Sequence, residues 1–214
     1  MIDNTALITD NLLDFKELGD FYVCHVIQRA KDKKAEGTVR EGDTTGDGQR
    51  LLKTWYIDSV EYFERKLPIM KEIADANHAR LYFMPQVRNK LIVNRVLAKE
   101  IITAIDEVNI RYDHLIRTAV CGCHASRAKR WILDVDDEIF EGNHAKAKEL
   151  ADALKEDVLT WWKNTPGKAN EDPFALIYET RNGWGIVTKP FDVRILPGPR
   201  YLLKDAMMLA YCGF

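Results

Sequence analysis

An acidic segment at residues 131–137, Trp-Ile-Leu-Asp-Val-Asp-Asp, has the residue types and spacing of a metal site. Its apolar residues predict a strand over 130–135. Alternate residues of a strand face the same way, so Asp134 and Asp136 are expected to project from one face, with Val135 on the other. Clustered carboxylates favour Mg²⁺ or Mn²⁺, ions that can activate an attacking hydroxyl and stabilise departing phosphate oxygens. The alternative is that these acids only end a strand and cap a turn.

Arg88 is a candidate phosphate ligand. It follows a predicted strand at 79–84 and lies near the start of a predicted helix, where a guanidinium and a helix N-terminus both favour anions. The alternative is a solvated arginine in the first helical turn.

A glycine-rich segment at residues 180–192 also suits nucleotide binding. Gly183 and Gly185 would let the backbone approach a phosphate closely, and Trp184 could stack on a base. Two cations in the segment, Arg181 and Lys189, could neutralise phosphate charge. The alternative is a structural hairpin turning at Asn-Gly.

The elements that must position these residues alternate between strands and helices. Asp58 and Glu61 predict a capping box at the start of a helix that Pro68 should kink or split. We expect three substantial helices and six or seven strands, and hence an α+β fold. The predicted strands span 21–28, 51–57, 79–84, 130–135, 174–179, 185–188 and 205–211.

Composition limits the functional classes. The 214 residues are 46% hydrophobic, which suffices for a substantial core, and no long linker divides them, so one domain is favoured. The formal charge of −2 does not indicate a nucleic-acid binder, so any basic surface must be local. Without a recognisable secretory signal or membrane-spanning run, a cytoplasmic location with no membrane partner is expected.

The four cysteines do not form a disulfide framework, and reduced thiols are the simpler interpretation. Structural zinc is an alternative, although the usual paired two-residue spacer is absent. Its candidate ligands are Cys24, His25, Cys121, Cys123 and His124.

The order of three segments, 82–88, Asp134-Val135-Asp136 and 182–186, resembles the catalytic core of archaeo-eukaryotic primases, particularly the primase-polymerases of phages and plasmids. It is also similar to phage-type proteins that combine Trp-Ile-Leu-Asp-hydrophobic-Asp-Asp with Asn-Gly-aromatic-His-hydrophobic-hydrophobic-Thr-Lys-Pro-Phe. The resemblance implies an RRM-like domain over 21–214, preceded by an N-terminal extension over 1–20. Its sheet would be mixed or antiparallel, with helices mainly on one face.

The resemblance also implies a function, because an Asp-x-Asp strand binds divalent metal in that family. Mg²⁺ or Mn²⁺ would bind Asp134 and Asp136, with Asp205 preferred to Asp192 as a third catalytic carboxylate. The substrates would be a nucleoside triphosphate near Arg88 and Lys189 and a single-stranded nucleic-acid template. Replication would require separate partner proteins, in the host cytoplasm if the chain is phage-encoded.

Gly185 departs from the family pattern, which has histidine at this position and uses it to contact the incoming nucleotide. Glycine lacks the hydrogen-bonding and charge-stabilising imidazole. Two alternatives therefore stay open. One is a non-catalytic phage-type protein that binds nucleotide, nucleic acid or a host factor, and the other is a metal-dependent nuclease.

Overall fold

The computed structural model describes residues 1–29, 32, 49–106, 111–122, 128–168, 171, 173–196, 201–204 and 207–214. These residues include nine β-strands and five α-helices. The strands are β1 (Ile2–Asp3), β2 (Asp20–Gln28), β3 (Arg50–Ile57), β4 (Arg80–Asn89), β5 (Trp131–Asp136), β6 (Ala175–Thr180), β7 (Gly183–Thr188), β8 (Leu202–Lys204) and β9 (Met208–Cys212). The helices are α1 (Thr5–Asn11), α2 (Val60–Ala76), α3 (Lys90–Thr103), α4 (Tyr112–Cys121) and α5 (His144–Asn164).

The strands form two sheets, which we call the first and second sheets. The first has the order β1-β9-β4-β2-β3 and the second the order β6-β7-β5-β8, and the pairs in the described residues are antiparallel. The fold is therefore α+β, as the sequence predicts. The expectation of a single sheet is wrong, because apolar patterns locate strands but do not say which strands pair.

Strand β4 is longer than the sequence predicts and is buried along its whole length. It continues through Pro85 to Asn89 because the ladder is irregular there: Val23 pairs with Met84, but Phe21 pairs with Arg88. Residues 85–87 thus lie opposite a single residue of β2, in a bulge where proline's missing N–H is tolerated. Arg88 consequently lies in the strand and not in a helical turn.

Helix α2 covers one face of the first sheet with Phe63 and Met70. It begins at Ser59, whose hydroxyl accepts from the Tyr62 N–H, so the predicted cap at Asp58 is one residue early. Pro68 does not split the helix, which is continuous from Val60 to Ala76, and Pro68 lies on its exposed side.

Helices α3 and α4 pack on the other face of the first sheet. Alternate residues of β2 face opposite sides of the sheet. Tyr22 belongs to the core beneath α2, whereas Phe21 and Val23 pack with Val93 of α3 and Ala119 of α4. Helices therefore cover both faces, where the sequence predicted mainly one. None of the helices in the described ranges has the length and apolar character needed to cross a bilayer.

The second sheet rests on α5. Leu133 and Val135 face this helix and pack with Leu154 and Val158. The Asn143 side chain accepts from the Lys146 N–H and so caps the helix N-terminus. Because one face of β5 is buried against α5, the alternate residues of β5 face away from this helix.

Residues 1–20 contribute to the core, although the sequence predicts an extension. Strand β1 pairs with β9, and Ile8 and Leu12 are buried. The Asn4 amide donates to the carbonyl oxygens of Glu179 (2.8 Å) and Leu209 (2.9 Å). Since these acceptors belong to β6 and β9, Asn4 links the two sheets.

Candidate active site between the two sheets

A cavity of about 440 Å³ lies between the first and second sheets, and we call it the acidic cavity. Three acids from β5 and the turn after it line one side. Three arginines from β4, from the end of β2 and from the β6–β7 turn contribute cations to the same cavity. These residues are Asp134, Asp136, Glu138, Arg29, Arg80 and Arg181.

Asp134 and Asp136 both line this cavity, as the alternation of a strand predicts. Each is partly buried, and Val135 between them is fully buried on the opposite face. Asp137 starts a 3₁₀ turn and places its carboxylate 3.0 Å from His144 Nδ1. The acidic segment thus supplies two carboxylates to the cavity from alternate positions and turns the third acid toward α5.

An ion network holds two of the arginines. Asp32 accepts from Arg80 Nε (2.9 Å) and Nη2 (2.7 Å), and also from Arg181 Nη1 (2.8 Å). The Asp32 and Arg80 side chains are only 1% and 5% exposed, whereas Arg181 is 40% exposed. Burial is the largest single effect and lowers the pKa of Arg80. The hydrogen bond to Asp32 and the charges of Asp32, Tyr82 and Cys212 together outweigh it, so the pKa is raised. Arg80 is therefore a fixed cation in the cavity wall.

Tyr178 occupies the space in front of Gly185. The two residues pair across β6 and β7, and Gly185 also pairs with Asp134. A Cβ placed on Gly185 would overlap the outer edge of the Tyr178 ring. Burial raises the pKa of Tyr178 well above its ordinary value, and the charge of Asp134 raises it further, so the phenol stays neutral. Sequence reasoning missed Tyr178, although a two-residue turn at 181–182 would have paired it with Gly185.

Two other residues of the predicted segment, Gly183 and Trp184, have structural roles. Gly183 has φ = +144°, and a Cβ there would meet the carbonyl oxygen of Val135. Trp184 lies on the opposite face of β7 from the cavity. Its Nε1 donates to the His144 carbonyl (3.3 Å), and Lys148 Nζ lies 5.0 Å from its ring centroid. The structure does not bring Trp184 to the acidic cavity.

Arg88 and Lys189 are not at the acidic cavity either. Arg88 is 1% exposed and donates from Nη2 to the Cys121 carbonyl (3.1 Å), linking β4 to α4. Lys189 follows β7, at the end where Thr188 pairs with Trp131. Trp131 and Asp136 are the two ends of β5, five residue steps and roughly 17 Å apart. The two predicted triphosphate ligands thus lie away from the acidic cavity. Arg88 lies within β4, which continues past Pro85, and Lys189 follows the end of β7 that is far from Asp136.

The proposed third carboxylate, Asp205, lies outside the described residues. The alternative, Asp192, is bound to Arg194, with Nη2 to Oδ2 at 2.6 Å. Hydrogen bonds from the Arg194 side chain and backbone lower the pKa of Asp192 to about 2. Asp192 therefore does not contribute to the acidic cavity, whereas Glu138, which sequence reasoning did not select, does.

Two of the candidate zinc ligands point in opposite directions. Cys24 and His25 are neighbours on β2 and face opposite sides, and only His25 lies near Cys121, with Nε2 3.8 Å from Sγ. Burial, with a smaller effect of Arg117, lowers the pKa of His25 to about 4, so this imidazole is neutral at pH 7. Cys123 and His124 lie outside the described residues.

The acidic cavity suits a metal that arrives with phosphates. Across the described ranges, no three His, Cys, Asp or Glu side chains are close enough together to hold an ion by themselves. Mg²⁺ commonly takes one or two protein carboxylates and completes its shell with water and substrate phosphates. Asp134 and Asp136 fit that role, and Glu138 adds negative charge nearby.

Neither models of known protein families, nor curated proteins, nor solved structures match this chain significantly. Any functional conclusion must therefore rest on the geometry and charges of its own residues.

Proposed function

We propose that the protein is a metal-dependent nucleotidyltransferase of primase-polymerase type, with an RRM-like catalytic core built around the second sheet. The main support for this proposal is the acidic cavity, which is lined by the carboxylates of Asp134 and Asp136 and by the arginines Arg80 and Arg181. A metal bound to a triphosphate presents both a cation and phosphate oxygens. This cavity offers a partner for each.

The neighbouring strands support the same proposal. The Asp-x-Asp strand β5 lies between β7 and β8, and the glycine motif on β7 pairs with it residue for residue. Gly185 lies beside Asp134, and Gly183 lies beside Asp136. Two of the three segments that carry the family resemblance are thus adjacent in space, as a shared site requires.

The roles of the side chains follow from their burial. Asp134 and Asp136 would hold Mg²⁺ or Mn²⁺, which when bound activates an attacking hydroxyl and stabilises the leaving phosphate oxygens. Arg80, held by Asp32, would supply a fixed positive charge to the triphosphate. Arg181 is more exposed and is positioned by the same carboxylate, so it can reach a phosphate. The neutral Tyr178 hydroxyl would offer a hydrogen bond beside Asp134.

The test is a template-extension assay with Mn²⁺ or Mg²⁺, labelled nucleoside triphosphates and a single-stranded template. We expect extension by the native chain and its loss in Asp134→Asn/Asp136→Asn, because amides bind these ions far more weakly. The control is Asp137→Asn, which makes the same type of substitution on the same segment but outside the cavity. It should retain extension.

Extension that survives in Asp134→Asn/Asp136→Asn, or that is absent from the folded native chain across metals and templates, would overturn this proposal. Shortening of a labelled strand without nucleotide incorporation would identify a nuclease that uses the same acids with water as the nucleophile.

Tyr178 favours a second candidate, a protein that binds nucleotides without transferring them. Its ring fills the space that the family histidine would need at Gly185. The single substitution Gly185→His is therefore not expected to restore activity, because the new side chain would collide with the Tyr178 ring. Gly185→His/Tyr178→Ala removes the collision. Metal-dependent nucleotide binding by the native chain without extension, together with extension by this double variant, would favour the second candidate.

A further inference from the structure

A second cavity, of about 320 Å³, carries positive charge at the end of the second sheet far from the acids. We call it the basic cavity. Its cations come from four separate segments: the loop before β2, the residues before β5, the loop after α5 and the residue after β7. They are Lys16, Lys129, Arg130, Lys168 and Lys189.

The acids that line the basic cavity balance only part of this charge. Asp14 pairs with Lys16 at 2.9 Å, and Glu171 pairs with Lys168 at 2.6 Å. The lining therefore has three more cations than acids. The chain as a whole carries a formal charge of −2, so this excess is local and requires an explanation of its own.

Aromatic rings hold several of these cations in place. Lys168 and Lys189 both approach the buried Trp162, with Nζ to ring-centroid distances of 5.0 and 5.6 Å. The Arg130 guanidinium lies 4.4 Å from the Phe174 ring centroid. Cations that are already positioned lose less side-chain entropy when an anion binds. Burial also lowers the pKa of Arg130, because its charge is partly removed from water.

We propose that the basic cavity binds the phosphate groups of a single-stranded nucleic acid. Cations contributed by four segments around one concavity match a chain of phosphates better than a single anion, and positively charged grooves are a general means of following a single-stranded backbone. This site does not depend on the proposed nucleotidyl transfer, since it lies roughly 17 Å along β5 from Asp136 and uses none of the acidic residues there.

The test measures fluorescence anisotropy of a labelled single-stranded oligonucleotide, with a chelator present to remove divalent ions. Lys129→Gln/Lys189→Gln should bind roughly 10-fold more weakly or worse. The slope of log affinity against log salt should become shallower by about 1.4, since each single-stranded phosphate contact contributes about 0.7. Lys99→Gln/Lys146→Gln is the matched control. It removes two exposed lysines from other surfaces and should leave both quantities unchanged.

Asp134→Asn/Asp136→Asn should bind the oligonucleotide with native affinity or better, which separates this proposal from the fate of the enzymatic one. Lys129→Gln alone is a variant that should fold normally, because Lys129 is exposed. It should lower the affinity for the oligonucleotide by a smaller factor than the double substitution. Unchanged affinity in the cavity variant, equal weakening by the control, or a duplex of the same sequence binding as tightly would each overturn the proposal.

Discussion

Tyr178 and Gly185 show how one contact shapes the acidic cavity. Glycine leaves open the space beside Asp134, and the tyrosine of the paired strand fills it. Strand alternation is enough to predict that Asp134 and Asp136 share a face. Arg80 could not be predicted in the same way, because its partner Asp32 is 48 residues away in sequence and only the folded chain brings them together.

Gly185→Ala should lower the free energy of unfolding by about 1–3 kcal/mol, because the added methyl overlaps the ring edge of Tyr178. Tyr178→Leu removes the overlapping ring atoms but keeps an apolar side chain. In the Tyr178→Leu variant, Gly185→Ala should lower the free energy of unfolding by much less. Urea unfolding of the four members of this double-mutant cycle measures the coupling. Equal costs in both backgrounds would show that the ring does not limit residue 185.

At the scale of elements, sequence patterns located most strands but missed the effect of local geometry on their ends. Pro85 was expected to end β4, yet a bulge accommodates it. Helix α4 was not predicted. Pro68 was expected to kink or split α2. The helix is not split, because the exposed position of Pro68 allows water to satisfy the carbonyl that loses its helical hydrogen bond. Such outcomes depend on which side of an element faces solvent.

Pro68→Ala should raise the free energy of unfolding by about 1–2 kcal/mol. Alanine restores a helical N–H, which stabilises the folded helix by about 3 kcal/mol relative to proline. It also gives the unfolded chain more conformational freedom, which lowers the free energy of unfolding by about 1 kcal/mol. Chemical denaturation followed by circular dichroism measures the change. Glu72→Ala, at another exposed position of α2, is the control and should change stability by less than about 0.5 kcal/mol. A loss of stability in Pro68→Ala would contradict this account of the helix.

At the scale of the molecule, Asp32 connects the two sheets, since it bonds to Arg80 of β4 and to Arg181 of the β6–β7 turn. The α+β class followed from the order of elements. The division into two sheets did not, because it depends on pairings between distant residues such as Phe83 with Met208. The acidic cavity exists only because both sheets face it. The sequence therefore indicated Arg181 as a phosphate ligand, but not Arg29 and Arg80, which line the same cavity.

Asp32→Asn should lower the free energy of unfolding by about 3 kcal/mol, because it leaves the Arg80 guanidinium buried without its counter-charge. Arg181→Gln breaks the other bond of the same carboxylate, but Arg181 is 40% exposed and its loss should cost less than about 1 kcal/mol. Thermal and urea unfolding of the two variants test this asymmetry. Similar costs would mean that the network acts mainly through Arg181.

Strand β9 has a consequence for how the chain is made. It follows the eight other strands of the described residues in sequence, yet it lies between β1 and β4 in the first sheet. While the ribosome is still producing the second sheet, one edge of β4 stays unpaired and apolar. A nascent chain at this stage presents the kind of open edge that aggregates or recruits a chaperone. Synthesis of residues 208–212 provides the strand that covers this edge, so the first sheet can be completed only after the second has been translated.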